Sequence, residues 1–173
     1  TMAESIGVEG RGKFYEEAGA IRDVIQNHLL QVVGFLAMEP PLNGSGEALR
    51  NEKVKVFKAL RPLSPKDLVR GQFKGYRAEP GVAPDSKVET YAALTLHIDC
   101  WRWSGVPFYL RAGKRLPVTA TEVVVEFKPP PANVFGALGH EQPNHLRFRL
   151  GPDVTIALGA ETKKAGPVMS GTD

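Results

Sequence analysis

The stretch LTLHIDCW, Leu94 to Trp101, decides how the chain has to be read. Leu94, Leu96, Ile98 and Cys100 alternate with Thr95, His97, Asp99 and Trp101, a period of two that gives a strand one apolar and one polar face. The same alternation returns in Val123, Val125 and Phe127, and again in Leu146, Phe148 and Leu150 set against Arg147 and Arg149. It recurs more weakly from Asp153 to Leu158. No long helical pattern separates these runs, so they predict a mostly antiparallel sheet.

Before Leu94 the period is different. From Lys13 to about Met38, Ile21, Ile25, Leu29, Val32 and Leu36 recur at helical spacing. They predict one long amphipathic helix, weakened at Gly19 and closed before Pro40-Pro41. A second, more polar helix is expected from Gly46 to Leu60, and Ser64-Pro65-Lys66-Asp67 reads as the capped start of one short turn. Pro80-Gly81 and Pro84-Asp85 mark a loop between Tyr76 and Lys87, Pro129-Pro130-Pro131 another, and the terminal AGPVMSGTD shows no pattern that would close a sheet. Helices first and strands after predict an α+β fold, with long amphipathic helices packed on one face of a mostly antiparallel β-sheet.

Composition narrows the class. The chain has 173 residues, 42% of them hydrophobic and 24% charged, enough for one sizeable core, so a single domain over 1–173 is expected. The net charge of +3 is spread without a basic run, which argues against nucleic acid. Cys100 is the only cysteine, so no internal disulfide can form and a reduced, cytoplasmic setting is expected. The apolar run Leu29 to Met38 is too short for a bilayer and no membrane partner is expected. Asn43-Gly44-Ser45 matches a glycosylation acceptor and reads as a turn.

One part of the long helix carries more polar groups than a buried stripe requires. In RDVIQNHLLQ, Arg22 to Gln31, at about 100° per residue with Asp23 at zero, Asn27 falls at roughly 40°, Gln31 at roughly 80° and His28 at roughly 140°. A carboxylate, two amides and an imidazole on one arc could hold a polyhydroxylated ligand. From geometry alone a plain solvated face is the ordinary reading of such an arc, because most amphipathic helices have one.

The segments EGRGKFYEEAGAIRDVIQNHLLQVVGFLAMEPP, EKVKVFKALRPL, VRGQFKGY, EPGVAPDSKVETYAAL and WRWSGVPFYLRAGKRL follow one another in this order. Through them the chain closely resembles the C-terminal part of glucose-6-phosphate dehydrogenase, the bacterial type in particular, from about Thr1 to Pro167. The resemblance implies oxidation of the C1 hydroxyl of glucose 6-phosphate to a lactone with NADP, a step of the pentose phosphate pathway. His28 matches the family's general base, and an imidazole titrating near neutrality suits removal of the hydroxyl proton. Asp23 and Glu4 match carboxylates that accept hydrogen bonds from sugar hydroxyls. Lys114, in RAGKRL, matches a substrate lysine that donates to the phosphate or a nearby hydroxyl.

The resemblance also implies what the chain lacks. There is no Gly-rich strand-to-helix fingerprint for a dinucleotide, since GSGEAL at Gly44 to Leu49 has neither the third glycine nor a preceding strand. NADP is therefore expected to be bound mainly by an N-terminal coenzyme domain outside this chain, which reads as an incomplete C-terminal domain, inactive alone. The motif carrying the aspartate that orients the base is absent as well. After Lys114 the chain reads LPVTATEVVVEF, where many relatives have basic residues near the positions of Thr119 and Ala120, and Gly151 stands where a glutamine is found. Arg111, Arg149 and Lys163-Lys164 remain, yet no structural NADP is expected. Expected partners are glucose 6-phosphate, the coenzyme domain and a second copy met through the sheet. The alternatives are a non-catalytic dimerisation or assembly module of the same family, and a sugar-phosphate sensor.

Overall fold

The structure is a computed structural model, and it describes residues 1–129, 131, 143–163, 165–167 and 171–172. Of the loop and chain-end expectations, Pro130, Lys164, Val168 to Ser170 and Asp173 lie outside the described residues. The chain divides into two compact units, Thr1–Thr119 and Ala120–Asp173.

The first unit is α+β. Strand β1 (Met2–Ala3) is followed by helix α1 (Gly12–Ala20), a π-helical stretch (Ile21–Leu29), α2 (Leu30–Ala37) and α3 (Gly46–Lys58). Strands β2 (Leu68–Gly71), β3 (Tyr91–His97) and β4 (Pro107–Gly113) complete it. β2 and β3 pair antiparallel, as do β3 and β4, while the short β1 runs parallel to β4 with Ala3 opposite Gly113.

Residues directly opposite in an antiparallel ladder share a face. Ala92 lies opposite Ala112, Leu94 opposite Leu110 and Leu96 opposite Phe108, and all six are buried against Val24, Ile25, Leu29, Val33 and Ala37 of the helical run. Each large side chain taken from water there contributes about 1.5–3 kcal/mol before chain entropy is charged against it. The Trp103 indole donates to the Ala37 carbonyl at 3.0 Å, satisfying a group left free at the end of α2.

The helical run departs from the expected single helix in two places. Gly19 has φ 65° and ψ 174°, a conformation open essentially to glycine alone, so the chain kinks there. Beyond the kink it is π-wound: the Leu30 N–H reaches back five residues to the Ile25 carbonyl. The side chains of Arg22 to Gln31 are therefore spaced by less than 100°, and Val24 and Val33 are buried while Val32 and Leu36 are only half-buried. Such π segments occur most often at functional sites.

A smaller cluster of Val8, Tyr15 and Tyr76 anchors the loop before β3 onto α1. Glu16 of α1 accepts from the Tyr76 hydroxyl at 2.7 Å and the Ser86 hydroxyl at 2.6 Å, with the Ala83 N–H at 3.4 Å. Burial alone would raise the Glu16 carboxyl, but the bonds from Ser86, Tyr76 and Ala83 outweigh it and hold its pKa below the ordinary value. A carboxyl depressed in the folded state stabilises fully above the unfolded pKa, about 4.3 for Glu, and loses that contribution as pH falls through the folded value. Acid melts should therefore show wild type losing stability below about pH 4.3 more steeply than Glu16→Gln. Equal slopes for the two would sink this account. At neutral pH Glu16→Ala, which leaves the buried Tyr76 hydroxyl without its acceptor, is expected to cost about 1–3 kcal/mol.

The second unit holds β5 (Ala120–Glu126), β6 (His145–Gly151) and β7 (Thr155–Gly159) in an antiparallel meander. The expected ragged end is corrected in part: β8 (Thr162–Lys163) pairs antiparallel with β9 (Gly171–Thr172), a backbone ladder that needs no apolar pattern.

Candidate functional site

Glu4 follows β1 directly, and its N–H donates to the Gly113 carbonyl at 3.0 Å while its own carbonyl accepts from Leu116 at 2.9 Å. The end of β4 is thereby sewn to residue 4, and Lys114 comes to lie against it. Arg115, at φ 51°, turns the chain so that consecutive basic residues part company: Lys114 is 4% exposed, whereas Arg115 stacks on the Phe73 ring and pairs with Glu79 at 3.6 Å.

The Lys114 ammonium donates to Glu4 Oε2 at 2.6 Å, and the Glu4 side chain is 28% exposed. Glu4 is thus the solvent-facing member of the pair and Lys114 the buried charge that fixes it. Lys114, expected as a donor to the phosphate or a nearby hydroxyl, has one of its N–H groups engaged by Glu4. Next to Glu4, the Ser5 N–H donates to the Thr119 hydroxyl at 3.0 Å. Ser5 and Thr119 thus form a neutral latch.

Tyr15 joins this pair to the helical run, and sequence reasoning passed over it. Its ring lies with the Lys114 ammonium 5.4 Å from the centroid, within cation–π range. Its hydroxyl is buried without a hydrogen-bond partner among the described residues. Burial, then the nearby charges of Asp23 and Glu4, push the phenol's pKa well up. Glu4, Lys114, Tyr15 and Asp23 therefore form one neighbourhood, although nothing in the spacing of FYEE within the chain marks Tyr15 as different from any core aromatic.

The remaining polar residues of the π stretch disperse. Gln31 accepts from Lys53 of α3 at 2.9 Å, so it belongs to helix packing and leaves the arc. His28 is exposed and touches Asn27, with Nδ2 to Nε2 at 3.5 Å. Of the four polar residues on the arc, Gln31 is tied to α3, and Asn27 and His28 touch each other.

Gly44-Ser45-Gly46 follows a helix and a turn, and the Ser45 hydroxyl already caps α3 by accepting from the Ala48 N–H at 3.2 Å. Among the described residues no cluster of His, Cys, Asp and Glu could hold a metal ion, and no helix is long and apolar enough to cross a membrane.

Comparison with known proteins agrees with this geometry. The family described as glucose-6-phosphate dehydrogenase, C-terminal domain, matches residues 1–173. Glucose-6-phosphate 1-dehydrogenase 1 of Mycobacterium tuberculosis is 51% identical over 159 residues, covering 91% of this chain and 34% of the relative. The Bacillus subtilis enzyme is 45% identical over 181 positions, covering 96% and 37%. The crystal structure of glucose-6-phosphate 1-dehydrogenase from Mycobacterium avium superposes with a TM-score of 0.90 at 47% identity, over 95% of this chain and 36% of that one. A glucose-6-phosphate dehydrogenase solved in complex with its substrate glucose 6-phosphate superposes with a TM-score of 0.88 at 37% identity, over 99% and 36%. The chain spans about a third of the length of these relatives.

Proposed function

Since the chain belongs to the glucose-6-phosphate dehydrogenase family, matching its C-terminal domain over residues 1–173, we propose that it supplies the general base and part of the substrate wall for oxidation of glucose 6-phosphate at C1. The observation that carries this reading is the Glu4–Lys114 pair at 2.6 Å, with the Lys114 ammonium over the Tyr15 ring. A carboxylate held by a buried ammonium is fixed in place, so it can accept from sugar hydroxyls without reorganising when the ligand arrives. Asp23 offers a second acceptor, and Lys114 keeps N–H donors for a hydroxyl or the phosphate. His28, exposed on the same π stretch, takes the C1 hydroxyl proton at a ring nitrogen as the C1 hydrogen departs. NADP, the family's hydride acceptor, would be held by a coenzyme domain outside these residues.

Calorimetric titration with glucose 6-phosphate, with glucose as control, tests the reading. The 173-residue chain is expected to bind the phosphate ester saturably and glucose much more weakly. His28→Ala should leave the affinity within about twofold, because a base acts on the reaction more than on binding, and the chain alone should not reduce NADP. Equal binding of ester and free sugar would refute the assignment of the site.

A second reading, an assembly module, is favoured by the second unit. Val123, Phe148 and Ile156 lie in one rung and Val125, Leu146 and Leu158 in the next, so one face of this meander is apolar. Ile156 is 74% exposed and Leu158 66%, which suits a face covered by another copy or by further chain. Sedimentation decides: a monomer at every concentration tested removes the second-copy form of this reading.

A further inference from the structure

The candidate site is assembled from two separate parts of the first unit, and their mutual placement has to be fixed by something. One part is the π stretch Ile21–Leu29, which carries Asp23 and His28. The other is the bend after β4 that carries Lys114. The dipeptide Glu89-Thr90, just ahead of β3, is bonded to both. Glu89 Oε1 accepts the Ile21 N–H at 3.0 Å, and the Glu89 carbonyl accepts the Ala20 N–H at 2.9 Å. The Thr90 carbonyl accepts the Lys114 N–H at 3.0 Å. Thr90 itself is fully buried, its hydroxyl accepting from the Phe73 N–H at 2.8 Å and its N–H donating to Gly71 at 2.9 Å.

The first N–H groups of a helix have no partner within it, and a side chain at the N-cap position usually supplies one. Here that position is Ala20, which makes no side-chain cap, so the acceptor arrives from Glu89 across the fold. Gly19 makes room for it: a Cβ at that residue would lie 2.6 Å from Glu89 Oε1. A carboxylate beside these N–H groups also complements the positive end of the helix dipole. Asp23 is two residues beyond the amide that Glu89 holds.

We propose that Glu89 is a positioning residue of the site: by capping the π stretch from the strand that also anchors Lys114, it sets Asp23 and His28 at their working distance from the Glu4–Lys114 pair. The proposal rests on the reading that these residues face a sugar phosphate, and the test separates the two. Glu89→Gln keeps an oxygen acceptor at Oε1, whereas Glu89→Ala removes it. Both are compared with wild type well below their melting temperatures, by calorimetry with glucose 6-phosphate and by NMR of the His28 ring resonances and the Ile21 amide exchange rate.

Glu89→Ala is expected to weaken binding by about tenfold or more, as small misplacements of a site do, to shift the His28 ring resonances and to expose the Ile21 amide. Glu89→Gln should restore all three to near wild type. A Glu89→Ala variant that melts earlier but keeps wild-type affinity and His28 resonances overturns the proposal, as does an equal loss in both variants. Where wild type itself binds no glucose 6-phosphate, the substrate reading fails, and Glu89 is judged by the NMR pattern alone: His28 moved in Glu89→Ala and restored in Glu89→Gln upholds the positioning role, and His28 unmoved ends it.

Discussion

Replacing Lys114 by alanine is expected to weaken glucose 6-phosphate binding by about 10- to 100-fold, the equivalent of losing one charge-assisted hydrogen bond of about 1.5–3 kcal/mol. The loss has two sources in the structure. On the proposed reading a donor to the substrate disappears, and Glu4, held at 2.6 Å from the ammonium, loses the group that fixes it. The stability cost should be smaller than the 3–5 kcal/mol of breaking a fully buried pair, because Glu4 is 28% exposed and can hydrate. About 1–2 kcal/mol is expected on those grounds. Lys114→Met, which keeps the length and removes the charge, separates packing from electrostatics: it should melt close to wild type and bind as poorly as Lys114→Ala. Lys114→Arg should not rescue, since a planar fork does not fit where a 3% exposed side chain lies under Glu4 and over Tyr15. Calorimetry on the three variants, with urea melts beside it, decides the matter, and wild-type affinity in Lys114→Met would remove Lys114 from the site.

Gly19→Ala is expected to be strongly destabilising for a single added methyl. At φ 65° and ψ 174° any side chain is strained by about 1–3 kcal/mol. The new methyl would also meet Glu89 Oε1 at 2.6 Å and Val88 Cγ1 at 3.1 Å, an overpacking of about 1–3 kcal/mol more. The sum, about 2–6 kcal/mol, corresponds to a melting temperature lower by about 4–24 °C for a protein of this size. Gly44→Ala is the control, because open space surrounds a Cβ there, and it should change stability by less than about 0.5 kcal/mol. A Gly19→Ala protein within about 1 kcal/mol of wild type would show that the kink relaxes into ordinary helix without cost.

Particular residues show how far sequence carries. The alternation from Leu94 onward found the buried face of β3 because a strand's period does not depend on its partners; Leu94, Leu96 and Ile98 are buried, but β3 begins earlier, at Tyr91, and ends at His97, so Cys100 and Trp101 lie beyond it. Ser64 to Asp67 was legible for the same reason: the Ser64 N–H donates to Asp67 Oδ2 at 2.9 Å, a bond made within four residues. The parallel pairing of β1 with β4 was not legible, because two residues carry no period. Nor was the π winding of Ile21–Leu29, because a shift from four-residue to five-residue hydrogen bonds leaves the apolar pattern nearly unchanged.

The site divides along the same line. Sequence by itself determined which residue types are present and, through the ordered motifs from EGRG to RAGKRL, the family to which they belong. Only the tertiary structure decided that Lys114 is buried and Glu4 faces water, that Gln31 leaves the polar arc for Lys53, and that the Lys114 ammonium lies over the Tyr15 ring. The reason is physical: motif and period are properties of neighbours along the chain. Exposure, charge pairing and the bonds of Glu89-Thr90 to two distant segments exist only after residues 4, 15, 21, 89 and 114 have been brought together.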